Sequence, residues 1–222
     1  MNLVLARCLA LFRTMTLLES TTRESAALVA SAMGKLNLPP SLQFRINRYQ
    51  RFLSIERNST ARDALFRDLS PNLDLELRLI LYKQLIETAP FFQELRSSAV
   101  GAVVSGFDEI VVCPGDIIIR KGAVGREMFF ILKGRVEVCG SADGYPLYAT
   151  KSQGEYFGEA ALLMDTLRSA WVRAKTFVVL AHLTKDKFNF IMEECPDEKF
   201  KMLQEIDAQR IVLESDGDDK KK

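Results

Sequence analysis

The chain is poor in several things that common chemistries require. Its 222 residues include one histidine, His182, and four scattered cysteines, Cys8, Cys113, Cys139 and Cys195, with no Cys-x-x-Cys pair. That ligand count does not build a zinc site. Dispersed thiols fit a reduced, intracellular setting better than a disulfide scaffold. There is no Gly-x-Ser-x-Gly elbow and no phosphate loop ending in Gly-Lys-Ser/Thr, so two familiar enzyme signatures are missing. The expectation is a protein that is not an enzyme and holds neither metal nor cofactor. Charge of one sign is also lacking: 30 basic against 29 acidic residues leave a net charge of +1, which argues against a nucleic-acid partner.

A run of 18 apolar residues is absent too, so the sequence carries no complete membrane span. The opening "MNLVLARCLALFRTMTLL" is apolar, with Arg7 and Arg13 as its charges. Three readings of residues 1–20 stay open: an arginine-bearing, acid-free leader, a buried helix, or the end of a longer hydrophobic helix such as a pore helix. What is present is ordinary for a globular protein, 48% hydrophobic and 27% charged, and long enough for one large or two small domains.

The periodicity changes near residue 95. Before it the pattern is helical. "STTRESAALVASAMGKL" opens on cap candidates and ends near Gly34, and Pro39-Pro40 break it. "SLQFRINRYQRFLS" resumes with Ser41 as cap, and Leu42, Ile46, Tyr49 and Leu53 fall on one face. A short helix is expected at "TARDALFRDL". In "SPNLDLELRLILYKQLIETAPFF" the leucines at 73, 75, 77 and 79 alternate like a strand. Ser70 as cap, Pro71 at the first helical position and early Asp74 and Glu76 decide for helix.

After a helix at "ELRSSAVGAVVSG" the chain reads as short strands punctuated by glycines: "EIVVCPGDIIIRKG", "EMFFILKGRVEVCG", "GYPLYATKSQGEYFG" and "WVRAKTFVVLAHL". That rhythm predicts a small antiparallel barrel or roll. Helix returns at "TKDKFNFIMEE" and "PDEKFKMLQEIDAQRIVL", and the tail "ESDGDDKKK" has a disordered composition.

One stretch carries chemistry: "GEYFGEAALLMDTLRSAWVRA", Gly154 to Ala174. Free amides at the start of a short helical turn attract phosphate. Ala160 and Ala161 let a ligand approach that backbone. Arg168 offers a planar fork for a phosphate, and Glu159 an acceptor for a sugar hydroxyl. Singly, each has a plain explanation: a turn glycine at Gly158, a solvated acid at Glu159, a surface cation at Arg168. A ligand-free Glu159–Arg168 salt bridge explains both charges but not the small residues around them.

This stretch resembles the phosphate-binding cassette of the cyclic nucleotide-binding domain, through Phe157-Gly158-Glu159, Leu162-Leu163 and Arg168-Ser169-Ala170. The strands of "PGDIIIRKGAVGREMFFILKG" resemble that family's β-roll. The helical half, in "LNLPPSLQFRINRYQRFL" and "LRLILYKQLIETAPFF", is similar to the C-linker of cyclic nucleotide-gated and hyperpolarisation-activated channels and related potassium channels. The resemblance implies an α+β chain: an all-helical C-linker-like region over 21–88, then a cyclic nucleotide-binding domain over 89–213. That domain would be a jelly-roll-like antiparallel β-roll with flanking helices and a C-terminal lid helix, followed by the tail 214–222.

The same resemblance implies a ligand, cyclic AMP or cyclic GMP. Glu159 would accept from the ribose 2′-hydroxyl and Arg168 would pair with the cyclic phosphate. Amides near Gly158, Ala160 and Ala161 would add to that grip. Ser169, beside Ala170, stands where a threonine in related channels favours cyclic GMP, and Gln209 and Arg210 are lid candidates over the base. It further implies a tetramer formed through the linker, at the cytoplasmic face of a membrane whose channel domain lies outside this sequence. The alternative is a soluble cyclic-nucleotide receptor regulating a kinase or another partner.

Overall fold

A computed structural model describes residues 27–56, 69–88, 90–93, 95–160 and 166–193. The chain divides into two compact units, Met1–Asp68 and Leu69–Lys222. In the first, residues 27–35 are helical and α1 spans Pro40–Glu56. The helix begins at Pro40, so Ser41 lies inside it rather than capping it. Of the expected α1 face, Leu53 is buried and Ile46 and Tyr49 are half-buried, but Leu42 is exposed. The helix expected at "TARDALFRDL" lies outside the described residues apart from its last position.

The second unit opens with α2 (Pro71–Leu81) and α3 (Lys83–Thr88), separated at Tyr82. The helical reading of the leucine-rich segment holds. Pro71 occupies the first turn, where its missing N–H costs nothing, and Asp74 pairs with Arg78 one turn on at 2.8 Å. Ser70 caps through its backbone carbonyl, which accepts from Asp74 at 2.9 Å; its side chain makes no capping bond. After α4 (Pro90–Gln93), α5 (Ser97–Ser105) buries Ala99, Val100, Val103 and Val104. Gly101 faces Leu75 of α2, where an added Cβ would stand in ordinary contact, 3.5 Å from Leu75 Cδ1.

Eight strands follow: β1 (Asp108–Val112), β2 (Ile117–Ile119), β3 (Glu127–Lys133), β4 (Arg135–Cys139), β5 (Leu147–Ser152), β6 (Tyr156–Phe157), β7 (Trp171–Ala174) and β8 (Val178–Thr184). They form two four-stranded sheets, ordered β1-β8-β3-β6 and β2-β7-β4-β5, and every pairing is antiparallel. This is the expected α+β roll. Helix α6 (Lys185–Glu193) continues directly from β8. The expected lid helix and charged tail lie outside the described residues.

The alternation of β3 divides the core in two. Phe129 and Ile131 join Ile119, Val136, Phe157, Val172, Val178 and Leu180 in one cluster. Met128 and Phe130 join Tyr82, Phe92, Val103, Phe107, Leu183 and Phe188 in the other, under the helices. Strands covered on both faces read as unbroken apolar runs, which is why "MFFIL" and "VVLA" show no alternation. Burying a phenylalanine such as Phe130 stabilises by about 2–3 kcal/mol, and its ring lies 5.1 Å from Phe107 and 5.4 Å from Phe92. The two layers are pinned by Tyr82 Oη, which donates to Glu109 Oε1 at 2.6 Å. Lys187 Nζ donates to the Gly106 carbonyl at 3.0 Å and to Asp108 at 2.6 Å, a cation placed where the α5 dipole is negative.

Candidate cyclic-phosphate site

The segment before the cassette is shaped by a tight turn. Glu155 accepts from the Ser152 amide at 2.6 Å and from the Ser152 hydroxyl at 3.0 Å, closing residues 152–155. Strand β6 then pairs Phe157 with Phe129 and Tyr156 with Phe130. The Phe129 and Phe157 rings stack at 5.2 Å. The chain next turns at Gly158, whose φ of +82° lies in the region that favours glycine. A second reason for glycine is contact: a Cβ at 158 would stand 2.5 Å from Arg168 Nη1.

Arg168 is 9% exposed, the buried charged residue of the described set. Three segments hold it. Its amide donates to the Ala123 carbonyl and its carbonyl accepts from the Gly122 amide, both at 2.8 Å. A bridge between Val124 and Leu167 extends that pairing. Its guanidinium donates from Nη1 to the Gly158 carbonyl at 2.9 Å and from Nη2 to the Glu127 carbonyl at 2.6 Å. Burial pulls its pKa below the ordinary arginine value, and the charges of Glu127 and Glu159 oppose that pull. A buried cation is tolerated when hydrogen bonds replace its lost water. Carbonyls do this without cancelling its charge.

The structure thus brings Gly158, Glu159, Ala160 and Arg168 together. Glu159 is half-buried and near enough for its field to act on Arg168, yet the guanidinium bonds go to backbone oxygens instead of its carboxylate. A closed Glu159–Arg168 salt bridge is not what holds these charges. Ala160 is half-buried, Ser169 is exposed and Ala170 half-buried just before β7. Ala161, Gln209 and Arg210 lie outside the described residues.

Three neighbours carried no signal in the sequence reading. The loop at Gly122–Val124 meets Arg168 through main chain, which any residue supplies. Glu127 meets it through a carbonyl, and its side chain points elsewhere, with Oε2 3.2 Å from His182 Nδ1. His182 is on β8 with its ring stacked against Phe129 at 6.1 Å.

Known proteins similar to this chain point to a domain family. The profile of the cyclic nucleotide-binding domain matches residues 109–195. Human potassium/sodium hyperpolarization-activated cyclic nucleotide-gated channel 3 is 33% identical over 161 residues, 72% of this chain and 20% of the channel. Rabbit channel 1 of the same series is 34% identical over 164 residues, 72% of this chain and 18% of the channel. Rabbit channel 4 is 32% identical over 159 residues, 72% of this chain and 13% of the channel. The chain therefore spans a fifth or less of the length of these curated relatives. No described helix is long and apolar enough to cross a membrane. The chain carries a cyclic nucleotide-binding domain, related to those of the hyperpolarization-activated cyclic nucleotide-gated channels.

Proposed function

We propose that the chain senses cyclic AMP or cyclic GMP and passes the binding energy to a pore through its helical half. The observation that carries this reading is the buried Arg168 guanidinium, held on two carbonyls, with Glu127 and Glu159 acting on it through their fields and not through a bonded carboxylate. A cyclic phosphate supplies the missing anion through charge-assisted bonds. Glu159 then accepts from the ribose hydroxyl, and the small residues Gly158, Ala160 and Ala161 admit the sugar-phosphate close to the main chain. Ser169, exposed at the mouth, meets the base edge, and Gln209 and Arg210 close over it.

This assigns binding rather than catalysis, since no step of bond cleavage is required. Transmission follows from the ligand's differential affinity for two states of the chain, and a 100-fold preference supplies about 2.7 kcal/mol per site. The helical half would assemble four chains at the cytoplasmic face of a membrane. Titrating the full chain with fluorescent cyclic AMP and cyclic GMP analogues tests the first part: saturable binding displaced by the unlabelled nucleotide is expected, and no binding of either would overturn the reading. Sedimentation velocity with and without nucleotide tests the second, with a larger assembled fraction expected when nucleotide is present.

A further inference from the structure

Glu127, whose carbonyl holds Arg168, has a histidine beside its carboxylate. His182 is the chain's single histidine. It sits on β8 between two carboxylates: Asp108, its register partner on β1, and Glu127 on β3. These acids differ. Asp108 is bound by Lys187 of α6 at 2.6 Å, and its carboxyl is held below the usual range first by that hydrogen bond, with the nearby charges of Lys187, His182 and Arg78 adding to the effect against the opposing pull of burial. Glu127 has His182 as its ion partner among the described residues. Its carboxylate also acts on Arg168, while its carbonyl holds the guanidinium. His182 Nδ1 is buried and, although 3.2 Å from Glu127 Oε2, is out of hydrogen-bond alignment, so it has no hydrogen-bond partner.

While the imidazole is neutral, the field of the Glu127 carboxylate at Arg168 offsets part of the attraction for an anion. A protonated imidazole shares that charge and adds its own positive field to the site. We propose that His182 is a proton-linked positioning residue for the Arg168 site: protonating its ring engages Glu127 and tightens the hold on a cyclic phosphate. This rests on the reading of Arg168 as the phosphate contact and adds to it a dependence on pH. Histidine is the side chain whose charge ordinarily changes between about pH 5 and 8, and a cyclic phosphodiester keeps its single charge throughout that range. Linkage fixes the sign: affinity rises as pH falls, and ligand binding must strengthen proton binding at His182 by the same factor.

Because the chain has one histidine, its imidazole C2–H resonance is identified without assignment. In tag-free full chain at constant ionic strength, the titration midpoint of that resonance should move up by about 0.5 to 1 on the pH scale when cyclic AMP or cyclic GMP saturates the site. Fluorescent cyclic AMP should correspondingly bind roughly three- to tenfold more tightly at pH 6 than at pH 8.5, the size expected of partly screened charges a few ångströms apart. H182N should flatten the pH profile. E127Q should bind more tightly than the parent at high pH and keep a shallower pH profile, which a merely structural role for Glu127 would not produce. A midpoint that stays put while nucleotide binds, or an unchanged slope in H182N, overturns the inference and leaves the site intact. Absence of binding at every pH overturns the site itself and this inference with it.

Discussion

Two arginines of the roll each stand against a glycine of positive φ, and they are held in opposite ways. Arg173, on β7, lies beside Gly144 (φ +94°). It pairs with Glu137 of β4 at 2.8 Å and donates to the Asp143 carbonyl at 3.2 Å, while Lys175 reaches the same carboxylate at 3.0 Å. Arg168 lies beside Gly158 (φ +82°) and has carbonyls only. The first side chain is 31% exposed and its charge is answered by a carboxylate. The second residue is 9% exposed and its charge is not answered by a bonded acid. The lesson is that a guanidinium's partner type, more than its burial, separates a cross-strand clasp from a charge left open to an anion. An ion pair closes on itself, whereas carbonyls fix the fork's position and leave its charge for a third party.

The sharpest way to break this contrast is to remove each arginine in turn. Arg168→Ala should weaken cyclic-nucleotide binding by roughly ten- to 150-fold, the loss of a charge-assisted contact of about 1.5–3 kcal/mol. Arg168→Lys, which keeps the charge and loses the fork, should fall between that variant and the parent. Arg173→Ala should leave affinity within about twofold and lower stability by under ~1 kcal/mol, as for an exposed pair. Fluorescence titration and urea unfolding followed at Trp171 measure both. Equal effects on binding would dissolve the distinction.

Next in size come the glycines. Both Gly158→Ala and Gly144→Ala force an alanine into the left-handed region, at about 1–2 kcal/mol each. At 144 the added carbon would stand 2.6 Å from Arg173 Nη2 and at 158 it would stand 2.5 Å from Arg168 Nη1. The exposed arginine can swing aside, but the buried one cannot. Gly158→Ala should therefore lose affinity by at least about tenfold beyond its stability cost, and Gly144→Ala should lose stability alone.

Glu159→Gln sharpens the contrast from the receptor side. It keeps an acceptor but removes the negative field, and a loss of a few-fold to about tenfold in affinity is expected, equivalent to one modest hydrogen bond. Stability should hardly change, because Arg168 is not bonded to it. The smallest effect belongs to acid. The Glu137 carboxyl is held below the usual value of 4.5, first by its hydrogen bond from Arg173 and then by that from Lys175. Its folded pKa is depressed, so its stabilisation is complete above the unfolded value and disappears as pH falls through the folded one. Arg173→Ala should shift the acid-unfolding midpoint slightly upward, visible in Trp171 emission.

The same two regions show what a sequence can reveal. The strands around them were legible because turns demand glycine: Gly115, Gly134, Gly154 and Gly158 all have positive φ, and each falls between the apolar runs that became strands. The cassette was legible because its charges sit among small residues. The holders of Arg168 were not, since the carbonyls of Gly158 and Glu127 belong to the main chain and leave no mark in composition. The Arg173–Glu137 pair depends on β4 and β7 meeting in register, Glu137 opposite Arg173, across 36 residues of chain. Of the two expected serine caps, Ser70 stands at the cap position, with Pro71 just inside the helix, whereas Ser41 does not, because Pro40 before it already starts the helix.

The order in which the strands visit the sheets carries a mechanical consequence. Successive strands alternate between the two sheets at every connection except the β4–β5 hairpin. The barrel is laced like a boot, and its halves cannot be prised apart without stretching several loops at once. Work done by a guest inside it has to leave through parts that are not laced. In the described residues these are the helices fastened to its rim, where the Tyr82 hydroxyl and the Lys187 amine are the knots.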